Sequence, residues 1–497
     1  MIKIITKLLL AILSFSFHFI SSQNVEGKIL DQSNFPISYA TIQINTDFGI
    51  YSNDEGEFNI QTEQFKPTDS VTISYLGYKT LKFILKDFTS KDYILEEDIN
   101  ELSEITVSNK IYSLDEILKN VKQNIDSNYT STIPTKKQIF QRHSSSTTYK
   151  KFEFEFLKAT LLSKKALKKV NNSFNDLIIK NINQTSKYYS ENLAELLNSG
   201  KKKKLNVIKA TKLVNKTNDK SSDKFQKEIM NIMAKHFEKD ATYKVSSGLF
   251  PVEDSLKMND ELNKELYKEK YNTKNLKNNI NHKLKAFSIK NEETYDFIHK
   301  TKKYNYVLKG TSTYDNEKIY IVEFSPRKSS AKYKGTLYIN SYDFAVVKLK
   351  YGYAKGKSFS KNLKFLLGFK FAQSKNNVEV FFNKNNTDSY SLQYIKQETD
   401  TYAFINRSLK FKKNRKDRKE DKRVLKMEFL LEIDSSNKME FFVLNENEIS
   451  DTTFNNFKEK KEYKMNYIPK YDSSIWKGYN VLSPVNEIKN YDTGMEN

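Results

Sequence analysis

The amino-acid sequence predicts a mainly β protein of the α+β class. A small N-terminal β-sandwich precedes a larger domain on a curved antiparallel sheet with inserted helices. Residues 24–106 contain short β-rich runs at even spacing, separated by turn signals, as in a sandwich. Residues 286–435 contain longer β-rich runs. One of these, Leu425 to Ile433, alternates apolar with mainly charged residues, which is typical of an antiparallel strand with one buried face.

Composition excludes several classes of protein. The chain of 497 residues has no cysteine, which excludes disulfide frameworks, thiolate metal sites, cysteine nucleophiles and a lipidated N-terminal cysteine. Its 34 Phe and 31 Tyr residues provide core material, so a wholly disordered chain is excluded. The formal net charge of +22 attracts anionic surfaces and polymers. Because the lysines are mostly dispersed, a solvated basic surface and an anion-binding role both remain open.

Residues 1–23 have the three parts of a secretory signal peptide. Lys3 and Lys7 form a basic start, Leu8 to Ile20 is mainly apolar, and small or polar residues follow. A helix of that apolar run reaches about 20 Å, which is less than a bilayer core of about 30 Å. We therefore predict cleavage between Ser22 and Asn24, with an uncleaved anchor as the alternative. The protein is then exported to the periplasm or outer membrane, or secreted, and keeps no transmembrane helix.

Four blocks of residues 24–106 carry a family resemblance: Gly27–Asp31, Pro36–Ile42, Ser52–Phe58 and Ser74–Tyr78. In this order they resemble the carboxypeptidase-regulatory-like domain, which is a transthyretin-like sandwich of the seven-stranded type. This domain is common in exported Bacteroidetes proteins.

Individual residues of these blocks have a physical role in such a sandwich. Gly56 and Gly77 suit positive φ in tight turns, and Asp54 suits a turn through bonds from its side chain to the backbone. Phe58 and Tyr75 are predicted core anchors.

The resemblance implies a non-catalytic domain. A zinc carboxypeptidase needs a closely spaced His and Glu and a later His to hold its metal. Beyond residue 23 the histidines are His143, His236, His282 and His299, and none begins a His-x-x-Glu motif. We therefore predict no catalytic residue, no metal site and no cofactor, and the sequence leaves the ligand-binding residues unknown.

The remaining chain divides into three predicted regions. Residues 107–158 hold a helix, Ile111 to about Ser127, and the first strands of a second domain. Ser113 and Glu116 of that helix form a capping box. Residues 159–285 are predicted to be a helical, Lys- and Asn-rich insertion, with one helix over Asp223 to Asp240. Residues 286–497 are predicted to form an antiparallel sheet and a C-terminal tail, anchored by Trp476, that packs along it.

The pattern after residue 106 also resembles exported Bacteroidetes proteins of unknown function. The stretch from Gly335 to Val347 is similar to part of the curved open sheet of periplasmic lipoprotein-carrier proteins.

Several motifs contain residue types that can carry chemistry, but the sequence favours a structural interpretation of each. His143 with Ser144–Ser146 is interpreted as a loop, and Glu153 and Glu155 as the solvent-exposed face of a strand. Three segments are interpreted as β-turns: Gly310–Ser312, Gly352–Ser358 and Asn53–Gly56. The glycines of Gly352–Ser358 are too closely spaced for a phosphate-binding loop. Arg142 and Arg327 are candidates for holding a carboxylate or phosphate. The basic runs at Lys201–Lys204 and Lys410–Arg423 lack interleaved aromatic residues, so nucleic-acid binding is not predicted.

Two functional hypotheses follow. The first is a non-enzymatic exported cell-envelope protein that acts in binding or assembly at the outer membrane or periplasm, with a protein, glycan or lipid as its unknown partner. The second is a periplasmic carrier or sensor that holds a lipid-like ligand on the concave face of the C-terminal sheet. If helices such as Ser113 to Ser127 cover the apolar face of Leu425 to Ile433, the first is favoured. An open trough there favours the second.

Overall fold

The computed structural model describes residues 24–45, 48–100, 112–130, 133–183, 185–200, 202–213, 237–238, 241–248, 250–257, 270–314, 317–363, 368–385, 388–415, 417 and 422–491. The predicted signal peptide, His236 and nearly all of the predicted helix at 223–240 lie outside these residues. The chain forms two compact units. The first unit comprises Met1–Asp98 and Ser473–Asn486, and the second comprises Ile99–Asp472 and Glu487–Asn497.

The first unit is a sandwich of seven strands, which confirms the predicted type. One sheet has the order β4-β1-β7 and the other β3-β2-β5-β6. All pairings are antiparallel except β1 with β7. Side chains of both sheets meet in one core, with Ile29 and Phe58 from the first and Ile42 and Ile73 from the second. The strands are β1 (Asn24–Asp31), β2 (Thr41–Ile44), β3 (Phe48–Tyr51), β4 (Glu57–Gln61), β5 (Ser70–Ser74), β6 (Leu81–Ile84) and β7 (Tyr93–Leu95), with a 3-10 turn at Leu85–Asp87.

Turn residues of this unit behave as their chemistry predicts. Gly56 and Gly77 adopt φ of 74° and 95°, the left-handed region that favours glycine. Asn53, which is fully buried, accepts hydrogen bonds through Oδ1 from the backbone N–H groups of Glu55 and Glu57, both at 2.9 Å. The Asn53–Gly56 segment is therefore a structural turn, as predicted, with Asn53 as its organising side chain.

The C-terminal tail corrects one prediction. Residues 473–486 pack on the first unit, not along the large sheet. The backbone N–H of Gln61 donates to Asn480 Oδ1 at 2.7 Å, and Asn480 Nδ2 donates to Gln61 O at 3.1 Å. Strand β4 lies at the edge of its sheet and ends at Gln61. The Asn480 side chain therefore forms the backbone hydrogen bonds there that a neighbouring strand would otherwise form. Trp476 is buried, as expected of an anchor, but it is an anchor for the sandwich.

A fifteen-stranded sheet dominates the second unit. The strand order along its main path is β24-β11-β10-β9-β22-β21-β20-β18-β17-β16-β15-β8. Outside this path, β12 pairs with β21 and with β13, and β19 pairs with β20. Only β24 pairs in parallel, with β11. The strands are β8 (Ile99–Asn100), β9 (Thr135–Ala159), β10 (Thr185–Ser199), β11 (Lys202–Leu213), β12 (Thr242–Ser247), β13 (Phe250–Lys257), β15 (Tyr304–Tyr314), β16 (Glu317–Pro326), β17 (Tyr333–Asn340), β18 (Val346–Tyr353), β19 (Phe359–Leu363), β20 (Phe369–Lys384), β21 (Tyr390–Lys413), β22 (Val424–Glu448) and β24 (Asn466–Ile468). A separate pair is formed by β14 (Lys270–Asn272) and β23 (Glu462–Lys464).

The helices are α1 (Leu114–Asn128), α2 (Lys164–Asn181), α3 (Thr273–Ala286), α4 (Asp296–His299), α5 (Asp451–Asn456) and α6 (Asn486–Lys489), and 3-10 turns lie at Thr301–Lys303 and Ser473–Trp476. The predicted capping box at Ser113 and Glu116 begins α1. Of the helices that the structure describes, none combines the length and apolar character needed to cross a membrane.

The helical insertion predicted at 159–285 is wrong in part. That region contains α2 and α3, but it also supplies β10 and β11 to the main path of the sheet and β12 and β13 to its side. Strands β10 and β11, which lie in the main path, carry polar side chains on both faces, so the apolar alternation that reveals a half-buried strand is missing from their sequence.

The first half of the apolar stripe of β22 lies in a closed core, as the first functional hypothesis expects. Leu425 and Met427 are buried, and Phe429 packs partly buried against the same cluster. The helix that covers them is α2, through Phe174 and Ile178, and not α1. Leu431 and Ile433 are half-buried. The trough that would have favoured a lipid carrier is therefore absent at Leu425 and Met427.

Candidate ligand-binding cavity

The register of the large sheet assigns each side chain to one of its two faces. Residues directly opposite each other on neighbouring strands share a face, and successive residues alternate between faces. Arg142 on β9 lies opposite both Glu191 on β10 and Glu440 on β22. The same row continues across β21, β20 and β18. We call this row the charge ladder, and its members alternate in sign over six strands: Lys350, Glu379, Lys396, Glu440, Arg142 and Glu191.

Buried charges of the ladder neutralise one another. Arg142 Nε lies 2.6 Å from Glu191 Oε1. Arg142, Glu191 and Glu440 are all buried, at no more than 2 % exposure. Burial alone would lower the pKa of Arg142, but the Glu191 and Glu440 carboxylates outweigh it and raise the pKa. Arg142, a candidate for holding a carboxylate or phosphate, is therefore paired with carboxylates of the protein itself. Arg327, the other candidate, is exposed in the loop after β16.

At the other end of the ladder, Glu379 lies 2.8 Å from Lys348 Nζ and 3.6 Å from Lys350 Nζ. Burial would raise the pKa of Glu379, but the two ammonium groups and a hydrogen bond from Tyr394 lower it to about 2. This face of the sheet is therefore held by internal ion pairs.

The opposite face borders a cavity of about 840 Å³. Gln141 and His143 flank Arg142 in β9, so they point to this face, and both line the cavity. Helix α3 forms another wall through Leu276, Asn279, Lys283 and Ala286, which recur at helical spacing. The volume lies within the range of about 300–1,000 Å³ that is typical of small-molecule sites.

The cavity lining is rich in groups that form hydrogen bonds. Amide side chains come from five positions on the sheet, and two amide pairs are already joined. Gln141 Nε2 donates to Asn192 Oδ1 at 3.1 Å, and Gln397 Nε2 donates to Asn376 Oδ1 at 2.8 Å. Flat aromatic surfaces come from five tyrosines: Tyr188, Tyr271, Tyr333, Tyr351 and Tyr463.

Two titratable groups of the lining are perturbed. Lys283 Nζ donates to Gln141 Oε1 at 2.6 Å, and burial lowers the pKa of Lys283 to about 8. Burial, together with the neighbouring Lys283 charge, also lowers the pKa of His143. The imidazole of His143 is therefore mainly neutral at pH 7. Its strand position corrects the predicted loop for His143 and Ser144–Ser146, which all lie in β9.

The β-turn predicted for Gly310–Ser312 is wrong, because these residues lie within β15 and pair with β16, with a register shift at Gly310. Other candidate motifs keep their structural interpretation. Glu153 and Glu155 are exposed on β9, while Phe154 between them is buried, so the two glutamates lie on a solvent-exposed strand face as predicted. Gly352–Ser358 contains the turn from β18 to β19, with Gly356 at φ 75°. Lys204, within the Lys201–Lys204 run, donates to three backbone carbonyls at and just after the end of α5: Phe454, Asn455 and Phe457. Across the described ranges no three His, Cys, Asp or Glu side chains are grouped as metal ligands.

Sequence reasoning named His143 and Arg142, which border the cavity, as candidates for chemistry, but it missed the other cavity residues. Gln141, Asn192 and Lys283 come from three distant segments, and each by itself is an ordinary polar residue. The only local signal was the spacing of Leu276, Asn279, Lys283 and Ala286 on one face of a polar helix, which is also typical of a solvated helix.

Comparison with known proteins supports the assignment of the first unit. Residues 25–107 match the family model of the CarboxypepD_reg-like domain. The match covers the seven strands of the sandwich and none of the cavity residues. No curated protein matches the chain.

Proposed function

We propose that the chain is a non-enzymatic, exported cell-envelope protein whose second unit binds a hydroxyl-rich saccharide in the cavity. The CarboxypepD_reg-like domain then serves in binding or assembly at the outer membrane or periplasm. Support for export comes from the signal-peptide pattern of residues 1–23.

The observation that carries the proposal is the chemistry of the cavity wall. A sugar presents hydroxyl groups that both donate and accept hydrogen bonds, and it presents C–H faces that pack on flat rings. Amide side chains donate and accept from one group, and tyrosine combines an apolar ring with a polar tip. The cavity offers both kinds of side chain in quantity, including Asn192, Asn437, Tyr188 and Tyr271.

Most polar groups of the lining, apart from Lys283 and His143, support binding over catalysis. Amides and tyrosines whose pKa is raised by burial, such as Tyr351, do not exchange protons near pH 7. The buried Arg142 and Glu191 already form an ion pair with each other.

A lipid-like ligand is the second candidate. Leu276, Phe287, Met439 and Met465 add apolar surface to the cavity. A carrier for such a ligand would use this cavity, because the Leu425 end of the β22 stripe is closed by α2.

Filling the cavity tests the proposal. Ala286→Trp places an indole on the lining face of α3, whereas Asn278→Trp places one at an exposed position of the same helix. We expect glucose and glucuronate to bind the wild type and Asn278→Trp in calorimetric titrations, and binding to be lost in Ala286→Trp. Binding of the hydrophobic dye anilinonaphthalene sulfonate in the cavity, with no binding of either sugar, would overturn the proposal in favour of the lipid-like ligand.

Export is tested separately by N-terminal sequencing of the protein recovered from its native cell envelope. We expect the mature chain to begin after Ser22 or Gln23. A chain that begins at Met1 would contradict the cleaved signal peptide.

A further inference from the structure

Lys283 is the cation of the cavity wall whose charge the protein leaves unmatched. Its Nζ donates to the neutral amide oxygen of Gln141, at 2.6 Å, and in the part of the chain that the structure describes no carboxylate forms an ion pair with it. Gln141 is itself held by its bond to Asn192. The ammonium is therefore positioned by its neighbours without being neutralised by them.

The acids that border the cavity do not neutralise Lys283. Glu191 has its side chain on the ladder face, where it is paired with Arg142, and Glu293 is exposed. The histidines that share the lining with Lys283, His143 and His282, supply no negative charge.

Helix geometry alone does not explain a half-buried lysine here. A cation in the last turn of a helix interacts favourably with the helix dipole. Lys283 and Lys285 both lie in the last turn of α3, and Lys285 provides that interaction from an exposed position without burial. Lys283 instead carries the desolvation cost of an ammonium that faces the cavity, as the fall of its pKa from 10.5 to about 8 shows.

We propose that the saccharide bound in the cavity is acidic, and that Lys283 binds its carboxylate. This inference rests on the proposed function, because it names the ligand class of the same site. The carboxylate completes an ion pair with the ammonium, while the amide and tyrosine groups bind the rest of the sugar. A uronic acid is the simplest molecule that has both parts.

Glucuronate and glucose are matched probes, since they differ only in the carboxylate or hydroxymethyl group at C5. We expect the wild type at pH 7 to bind glucuronate at least about tenfold more tightly than glucose, as a charge-assisted hydrogen bond provides. Lys283→Gln should lose this preference while its affinity for glucose stays unchanged, and Lys283→Arg should retain it. The control Lys285→Gln removes an exposed charge from the same helix and should behave as the wild type.

The outcomes separate this inference from the proposed function. Equal affinity of the wild type for both sugars would overturn the role of Lys283 and leave a saccharide site in place. A preference for glucuronate that survives in Lys283→Gln would also overturn it. Failure of both sugars to bind would overturn the two proposals together. Thermal melts of each variant establish that the binding data come from folded protein.

Discussion

Arg142→Met is the most direct test of the charge ladder. The substitution keeps an unbranched side chain of moderate length in β9 but removes the cation between two buried carboxylates. Glu191 and Glu440 lie opposite Arg142 on the two neighbouring strands, and both are at most 2 % exposed. Water therefore cannot replace the guanidinium without opening the sheet.

The expected loss of stability is large. Removing one partner of a buried ion pair typically costs about 3–5 kcal/mol, because the other charge stays buried without compensation. An exposed pair in the same strand provides the contrast. Lys151 Nζ lies 2.8 Å from Glu153 Oε1, but these side chains are 49 % and 59 % exposed. Lys151→Met should therefore cost much less stability than Arg142→Met.

Urea denaturation at pH 7, followed by far-UV circular dichroism, measures both variants. The double variant Arg142→Met/Glu191→Met should be less destabilised than Arg142→Met by more than about 1 kcal/mol, because the pair is replaced by apolar groups. If Arg142→Met loses no more stability than Lys151→Met, the ladder is not a buried network and the argument fails.

Three further predictions concern single residues. Because burial lowers the pKa of Lys283 to about 8 in the folded state, the unfolded chain binds more protons up to about pH 10.5. In urea denaturation, Lys283 should therefore raise wild-type stability between about pH 8 and about pH 10.5, and Lys283→Met should show a smaller rise and be more stable at pH 7 by up to about 3 kcal/mol. Phe429→Ala should cost about 2 kcal/mol in urea denaturation, since a half-buried ring loses part of the usual 3–5 kcal/mol; an unchanged midpoint would contradict its packing under α2. Gly77→Val should destabilise the sandwich by about 1–3 kcal/mol, because φ is 95° there. The fluorescence of Trp476, which lies in the first unit, measures it.

The fold was largely predictable from the sequence where one face of an element is apolar. The stripe of β22, the capping box at Ser113 and the turns at Gly56 and Gly77 are local signals, and the structure confirms each of them. Predictions failed where both faces of a strand are polar. Strand β10 carries Glu191 on the ladder face and Asn192 on the cavity face, so its sequence has no apolar period.

The ligand site could not be predicted because its residues become significant only in combination. Lys283 is one of many lysines in the sequence, and its unusual features are its burial and its amide partner. Both depend on α3 lying against the sheet so that Lys283 reaches Gln141 of β9, which is a contact between segments far apart in the chain.

The two faces of the sheet are linked through strand register. Because side chains alternate, a slip of one residue in β9 would move Arg142 into the cavity and place Gln141 among the buried carboxylates of the ladder. Such a slip would remove from Glu191 the guanidinium that lies 2.6 Å away and would leave Glu440 with Lys438 but without Arg142, so the ladder strongly disfavours it. The same constraint fixes Gln141 beside Asn192 and under Lys283 on the cavity face. Ion pairs on one face thus position the binding groups on the other. It follows that Arg142→Met, even where the protein still folds, should weaken glucuronate binding although Arg142 belongs to the opposite face.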